Sequence, residues 1–199
     1  MNKKLILVAA PPACGKTYLS LQIAEKLPHI VYLDKDDLGD LVRAAFSAAG
    51  KEADMDGDFY KENIRQAEYA TIMHIALSTL RFEDRVLLNA PLSKEVRDVE
   101  YMMDIKAKAN ALGAQLLLIW VTAPTEICYE RMKKRNSDRD TLKLQDWDNY
   151  VRKINYTPPY ELETAGAVDG FMVYDTKDET AYAQSMSAAL RMITEETHE

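Results

Sequence analysis

The segment that most constrains this chain is the junction at residues 10–17 between an apolar run and an amphipathic helix. The run at residues 5–10 leads into A-P-P-A-C-G-K-T, and a helical pattern follows at residues 18–27 before Pro28 ends it. At such a junction, consecutive backbone N–H groups and a helix N-terminus converge, which suits a phosphate anion. The sequence therefore predicts a sheet with a phosphate cradle at the carboxyl end of its first strand.

The junction matches the phosphate-binding pattern G-x-x-x-x-G-K-[ST] at Gly15, Lys16 and Thr17. In that pattern the lysine reaches the β/γ oxygens and the hydroxyl binds magnesium, so we expect Lys16 to be catalytic and Thr17 to hold the metal. Alanine replaces the first glycine and an internal one, so we expect Ala10 and Ala13 to avoid positive φ. The residues expected to bind a nucleoside triphosphate here are Ala13, Cys14, Gly15, Lys16, Thr17 and Tyr18. The alternative, a chance strand-to-helix turn, is disfavoured because motif, position and flanking periodicity agree.

Apolar runs of strand length alternate with helical patterns along the chain. Strands that are apolar throughout are typical of a parallel sheet covered on both faces, which predicts an α/β fold. No Gly/Ser-rich or Pro-rich linker divides the 199 residues, so we expect residues 1–199 to form a single domain. The five predicted strands are residues 5–10, 30–33, 86–90, 115–122 and 171–175.

Composition narrows the choice of partner. A net charge of −7 and a pI near 5.1 weigh against general affinity for nucleic acid and favour a small acceptor, although nucleic acid stays open. No segment approaches the roughly 20 apolar residues needed to span a bilayer, so we expect a cytoplasmic protein without membrane contact. The two cysteines do not form a disulfide framework and are expected to be free thiols. The sequence does not constrain the oligomeric state.

Several carboxylates follow the second predicted strand, at Asp34, Asp36 and Asp37. The carboxyl edge of an open α/β sheet is where ligands lie, so these side chains should face the phosphate cradle. A carboxylate there can accept the proton of an attacking hydroxyl, and we assign this role to Asp36, with Asp34 and Asp37 as weaker candidates. The alternative is that Asp36 or Asp37 caps the next helix.

Two connections are longer than a plain crossover. Residues 36–83, the acceptor region, read as mostly helical with an acidic break at 51–58 whose spacing does not fit a calcium loop. The second connection, residues 131–167, contains a basic cluster. Its first part, the lid at residues 131–145, begins with Arg131 and Arg135 on one helical face, with Arg139 just beyond. Guanidinium groups there can close over a triphosphate, whereas the alternative is a solvated basic face. Glu130 and Asp140 are candidate partners for these arginines.

The P-loop at residues 10–17, the Asp-x-Asp at 34–36 and the Arg-x-x-x-Arg at 131–135 together resemble the small P-loop kinases, an AAA-type ATP-binding family. The similar branch contains polynucleotide kinase, chloramphenicol phosphotransferase and zeta-toxin-like proteins. The resemblance implies a P-loop NTPase three-layer sandwich with a five-stranded parallel sheet of order 2-3-1-4-5. It also implies ATP and Mg²⁺ as cofactors, Asp36 as general base, and Arg131 and Arg135 as lid residues that bind ATP and act in catalysis.

The resemblance has further implications for single positions. Such kinases often have aspartate at the position of Asn89. The asparagine of this chain would weaken the hold on magnesium. Adenine packs near the loop after the fifth strand, which adds Thr176 to the predicted ATP site, although Thr176 and Glu179 could instead form a capping box. Arg97 is similar to an arginine that lies near the acceptor in some relatives.

The expected function is transfer of the γ-phosphate of ATP to a hydroxyl of a small molecule, nucleoside or nucleotide. The alternatives are a nucleic-acid 5′-end kinase and a non-kinase module that binds ATP for regulation.

Overall fold

The computed structural model describes residues 3–137 and 140–195 and contains one five-stranded sheet. All strand pairs are parallel and the order is β2-β3-β1-β4-β5, which confirms the predicted fold class and strand order. The strands are β1 (Lys3–Ala9), β2 (Ile30–Asp34), β3 (Arg85–Asn89), β4 (Ala114–Thr122) and β5 (Gly170–Asp175).

Helices cover both faces of this sheet. Short 3₁₀ turns follow β2 and precede α5, at Lys35–Leu38 and Glu95–Arg97. None of the helices in the described ranges is long and apolar enough to cross a membrane. The helices are α1 (Lys16–Lys26), α2 (Gly39–Ala48), α3 (Asp58–Asn63), α4 (Arg65–Thr79), α5 (Val99–Asn110), α6 (Thr125–Arg135), α7 (Thr141–Gln145), α8 (Trp147–Lys153), α9 (Tyr160–Thr164) and α10 (Glu179–Thr194).

The core lies in two layers because successive side chains of a strand point to opposite faces. From β1, Leu5 and Leu7 join a cluster with buried residues of α4, α5 and α9, whereas Ile6 and Val8 join a cluster with residues of α1, α6 and α10. The three-layer arrangement predicted from uninterrupted apolar runs is therefore present.

The central position of β1 places the P-loop in the middle of the carboxyl edge of the sheet. Val8 pairs with Asn89 of β3, and Ala9 pairs with Trp120 of β4. Since β2 pairs with β3 through Asp34 and Asn89, the polar ends of β2 and β3 lie beside the P-loop. The strand order alone therefore brings together residues that are far apart in the chain.

The acceptor region is helical, as predicted, and comprises α2, α3 and α4 with the acidic break as a loop. It has a small core of its own, formed by Val42, Phe46, Tyr60 and Ile64. This satellite core sits on α4, which also packs against the sheet.

Candidate functional site

The P-loop leaves β1 and enters α1 through two residues in the left-handed region. Gly15, the N-cap of α1, has φ 95° and ψ 15°, and Ala13 has φ 63°. The prediction that Ala13 avoids positive φ is wrong, whereas Ala10 does avoid it. The left-handed conformation costs an alanine about 1–2 kcal/mol, and the carbonyl of Ala13 is held by Arg131 Nη1 at 3.4 Å. The chain must change direction within a few residues here, and this requirement outweighs the preference of alanine for negative φ.

Thr176, in the loop after β5, is hydrogen-bonded to the backbone of the P-loop. Its buried Oγ1 donates to the carbonyl of Cys14 at 2.9 Å and accepts from Arg131 Nη1 at 3.0 Å. Arg131 Nη2 also donates to the Thr176 carbonyl at 2.9 Å. Thr176 and Arg131 thus lie together against the P-loop. A contact between Thr176 and adenine stays a prediction.

The proposed capping box at Thr176 and Glu179 is wrong. Asp178 is the N-cap of α10, and its carboxylate accepts from the backbone N–H of Ala181 at 2.7 Å. The Thr176 hydroxyl is already engaged with the P-loop, so it is not the group that caps α10.

Asn89 is the centre of a hydrogen-bond network under the P-loop. Its fully buried side chain accepts from Lys16 Nζ at 2.6 Å and donates to Asp34 Oδ2 at 2.5 Å. The same amide nitrogen lies 3.3 Å from Thr17 Oγ1, and Ser20 Oγ donates to the amide oxygen at 3.2 Å. An ionised carboxylate only accepts hydrogen bonds, so an aspartate at this position could not donate to Asp34. The amide is therefore the side chain that links the lysine, the threonine and Asp34.

Asp34 is a half-buried carboxylate of the site. Oδ1 accepts from the backbone N–H of Asp36 at 2.9 Å, which makes Asp34 the cap of the turn after β2. The cap is thus neither Asp36 nor Asp37. Oδ2 accepts from Tyr32 Oη at 2.7 Å and from Asn89. Burial alone would raise the pKa of Asp34, but these hydrogen bonds and the charge of Lys16 bring the pKa below its ordinary 3.8, so Asp34 is ionised at neutral pH.

Asp36 lies at the carboxyl edge of β2, as predicted, with its side chain open to solvent. The side chain is 69% exposed, and Oδ1 is 3.2 Å from Lys35 Nζ. Lys35 is buried and also donates to Glu68 of α4 at 2.8 Å, so it joins Asp36 to the acceptor region. The carboxylate is accessible to a bound molecule, and its role as general base stays a prediction.

The two predicted lid arginines share α6 but have different partners. Arg131 reaches the P-loop, whereas Arg135 donates through Nε and Nη2 to Asp140 Oδ2, at 2.8 and 2.5 Å. The predicted pairing with Asp140 is present, while Glu130 lies beside Lys133. Arg139 falls outside the described residues.

Further contacts involve the lid and α8, the helix that follows it. Lys143 of α7 lies 3.0 Å from Asp56, which connects the lid to the acidic loop of the acceptor region. The ring of Trp147 in α8 packs between Tyr129 of α6 and Tyr150, with centroids 5.1 and 5.6 Å away. The lid therefore contacts the acceptor region, while α8 packs on α6.

Tyr18, the last residue of the predicted P-loop set, lies on the exposed surface of α1. Its ring packs against Tyr182 of α10, with ring centroids 5.9 Å apart. Its predicted contact with ATP is not tested by this geometry.

Replacing Asn89 with aspartate is expected to destabilise the protein, because it would set a second carboxylate against Asp34. The lost hydrogen bond and the repulsion are together about 1–3 kcal/mol, which lowers Tm by roughly 3–10 °C for a chain of this size. Thermal unfolding without ligand measures this. Ser20→Ala, which removes one donor to the same amide, is the matched control and should cost less. An unchanged or higher Tm in Asn89→Asp would show that the amide is not needed.

Solved structures of other proteins share this fold along nearly the whole chain. A protein from Chloroflexus aurantiacus j-10-fl has a TM-score of 0.63 at 18% identity, with 97% of each chain covered. Shikimate kinase from Bacteroides thetaiotaomicron has a TM-score of 0.55 at 12% identity, covering 96% of this chain and 98% of that one. APS kinase from Mycobacterium tuberculosis, in complex with AMPPNP and APS, has a TM-score of 0.52 at 16% identity, covering 94% and 96%. At these identities the likeness establishes the P-loop fold.

Sequence comparison adds the family. No protein with curated annotation matches this chain. A family model described as an AAA domain matches residues 5–156, from β1 through the P-loop, the acceptor region and the lid. Since the match spans well over half of the chain and includes the P-loop, this protein belongs to the AAA domain family.

Proposed function

We propose that this protein is an ATP-dependent phosphotransferase that moves the γ-phosphate of ATP to a hydroxyl of a small molecule, nucleoside or nucleotide. The observation that carries the proposal is the network in which Asn89 joins Lys16, Thr17 and Asp34. It brings a cation, a hydroxyl and an ionised carboxylate together at the mouth of the P-loop. Nucleotide binding and catalysis of phosphate transfer both need these groups.

Binding of the triphosphate is assigned to the backbone N–H groups of residues 13–17, to Lys16 and to Arg131. The N-terminus of α1 adds a favourable dipole for anions. Glycine suits the backbone here, since φ +95° is strained for any residue with a side chain, and Arg131 Nη1 lies within 3.5 Å of where a Cβ of residue 15 would be. Arg131 is therefore placed where a guanidinium can neutralise phosphate charge.

The residues present fit a Mg²⁺ ion delivered with the nucleotide. Mg²⁺ prefers hard oxygen ligands and is usually bound by one or two protein groups together with substrate phosphates and water. Thr17 Oγ1 and the ionised Asp34 are such groups, joined through Asn89. Thr17 would hold the ion with Asp34 behind it, and the bound ion would supply neutralisation of phosphate charge.

Asp36 is the group proposed to receive the proton of the acceptor hydroxyl. Its exposed carboxylate follows Asp34 directly and lies beside Lys35, whose other partner, Glu68, belongs to α4. The acceptor region thus begins at the proposed base, so a hydroxyl held by α2 to α4 can lie between Asp36 and the γ-phosphate. The kinase descriptions of the structurally similar shikimate and APS kinases support this reaction class for the present chain.

The test is ATP turnover with and without a panel of nucleosides, sugars, antibiotics and a 5′-hydroxyl oligonucleotide. Stimulation of turnover by a small hydroxyl compound by at least about tenfold over the ATP hydrolysis background is expected. Stimulation by the oligonucleotide alone would favour the nucleic-acid 5′-end kinase instead. Tight ATP binding without transfer to any acceptor would favour a regulatory module.

The lid is expected to become more protected when ATP binds. Without ligand, the Lys143 contact with Asp56 involves a carboxylate that is 71% exposed, so this contact opens at little cost, whereas the Arg135 pair with the buried Asp140 holds the α6 end of the lid. Hydrogen exchange of peptides from residues 131–145 should slow by about tenfold with a non-hydrolysable Mg-ATP analogue. Peptides from α10 are the internal reference. Equal exchange with and without nucleotide would make this segment a fixed face rather than a lid.

A further inference from the structure

The two cysteines of the chain lie side by side although 114 positions separate them. Cys14 Sγ and Cys128 Sγ are 3.6 Å apart, and both side chains are fully buried. The whole sequence contains only these two cysteines. Both are free thiols, as predicted, but their proximity could not be predicted, because nothing in their spacing along the chain signals it.

Both thiols occupy positions that bear on phosphate binding. Cys14 lies in the P-loop between Ala13 and Gly15, the two residues with positive φ, and its carbonyl accepts from Thr176. Cys128 lies on α6, one helical turn before Arg131. The contact between the two thiols therefore joins the phosphate cradle to α6, whose Arg131 also contacts the P-loop.

We propose that Cys14 and Cys128 form a modification site at which a peroxide converts the two thiols into a disulfide and thereby disables the P-loop. The proposal goes beyond phosphate transfer and rests on the P-loop as the nucleotide site. A disulfide holds its sulfurs about 2.05 Å apart, so the two atoms must approach by about 1.5 Å. Cys14 lies between Ala13 and Gly15, which both have positive φ, so this approach displaces the backbone that carries the N–H groups that would bind phosphate.

The chemistry needs an oxidant that is small and uncharged, because both sulfurs are enclosed, and hydrogen peroxide meets this requirement. The thiolate of one cysteine attacks a peroxide oxygen, the O–O bond breaks, and a sulfenic acid and hydroxide form. The second sulfur attacks the sulfenic sulfur, the S–O bond breaks, and water leaves. Two thiols and one peroxide give one disulfide and two waters.

The surroundings favour Cys128 as the attacking thiolate. The hydrogen bond from Cys14 lowers the pKa of Cys128, burial opposes this, and the charge of Arg131 adds to the lowering. The pKa of Cys14 is raised by the same hydrogen bond and by burial. Cys14 is then the resolving thiol.

The experiment treats the full chain with hydrogen peroxide and measures two quantities. Free thiols are counted by maleimide labelling after denaturation, and Mg-ATP affinity is measured with a fluorescent ATP analogue. We expect both thiols to disappear together into one cross-linked peptide pair, and the affinity to fall by at least about tenfold. Dithiothreitol should restore both.

Cys128→Ser and Cys128→Ala are the matched variants, since Cys128 is outside the phosphate cradle. Both should bind Mg-ATP like the reduced parent chain and keep that affinity after peroxide. Loss of Mg-ATP affinity in these variants after peroxide would overturn the proposal, because it would result from oxidation of Cys14 alone or of a methionine. Absence of the cross-link, or a cross-link without change of affinity, would overturn it too. If the reduced parent chain did not bind Mg-ATP, the assignment of the P-loop as a nucleotide site would be wrong. The thiol count would still test whether Cys14 and Cys128 form a disulfide.

Discussion

Replacing Lys16 with alanine is expected to lower Mg-ATP affinity by roughly 10- to 100-fold while the fold persists. A hydrogen bond to a charged group is worth about 1.5–3 kcal/mol, and the variant loses those that Nζ would make to the phosphate oxygens. Asn89 Oδ1, the partner of Lys16 in the structure, still accepts from Ser20 Oγ, so no buried acceptor is left without a donor. The rise in Tm with added Mg-ATP reports the affinity, because a ligand stabilises the state that binds it.

Lys26→Ala is the control for this variant, because Lys26 is an exposed lysine at the other end of α1. It should keep the full rise in Tm with Mg-ATP. If Lys16→Ala kept it as well, the P-loop assignment would be wrong. If Lys16→Ala were unfolded without ligand, the lysine would be structural.

Replacing Asp36 with asparagine should reduce phosphate transfer by roughly 10²- to 10⁴-fold and leave ATP affinity unchanged. Asparagine keeps the shape of the side chain and loses the proton acceptor. The backbone N–H of Asp36 would still donate to Asp34, so the turn after β2 is preserved. Turnover and ATP affinity are measured on one preparation, with the acceptor that the panel identifies.

Asp37→Asn, at the neighbouring exposed carboxylate, is the control for Asp36→Asn and should transfer phosphate normally. Near-normal transfer by Asp36→Asn would move the base to Asp34 or Asp37, or discard it. Loss of ATP affinity together with transfer would mean that Asp36 binds nucleotide rather than accepting the proton.

The sheet could be predicted from the sequence because local patterns determine it. The apolar run at residues 5–10 became β1 (Lys3–Ala9), and the other four runs also coincide with strands to within one or two residues. The strand order came from the resemblance to P-loop kinases, since periodicity does not specify which strands are neighbours. The P-loop was found because its residues are contiguous.

The rest of the site depends on contacts between distant parts of the chain. From the sequence alone, Asn89 indicates only a weaker hold on magnesium, because its partners depend on the register that pairs Asp34 with Asn89 and Asn89 with Val8. The support of the P-loop by Thr176 joins residues 162 positions apart. Ala13 shows a different limit, since the geometry of the loop overrides the preference of alanine for negative φ.

Nucleotide binding by the parent chain is measured most directly by calorimetric titration with ATP, with and without Mg²⁺. We expect saturable binding of one nucleotide per chain that weakens when Mg²⁺ is removed, because the phosphates would lie on the P-loop beside Thr17 and Asp34. Absence of saturable binding in the presence of Mg²⁺ would show that the P-loop is not a nucleotide site, whatever the fold.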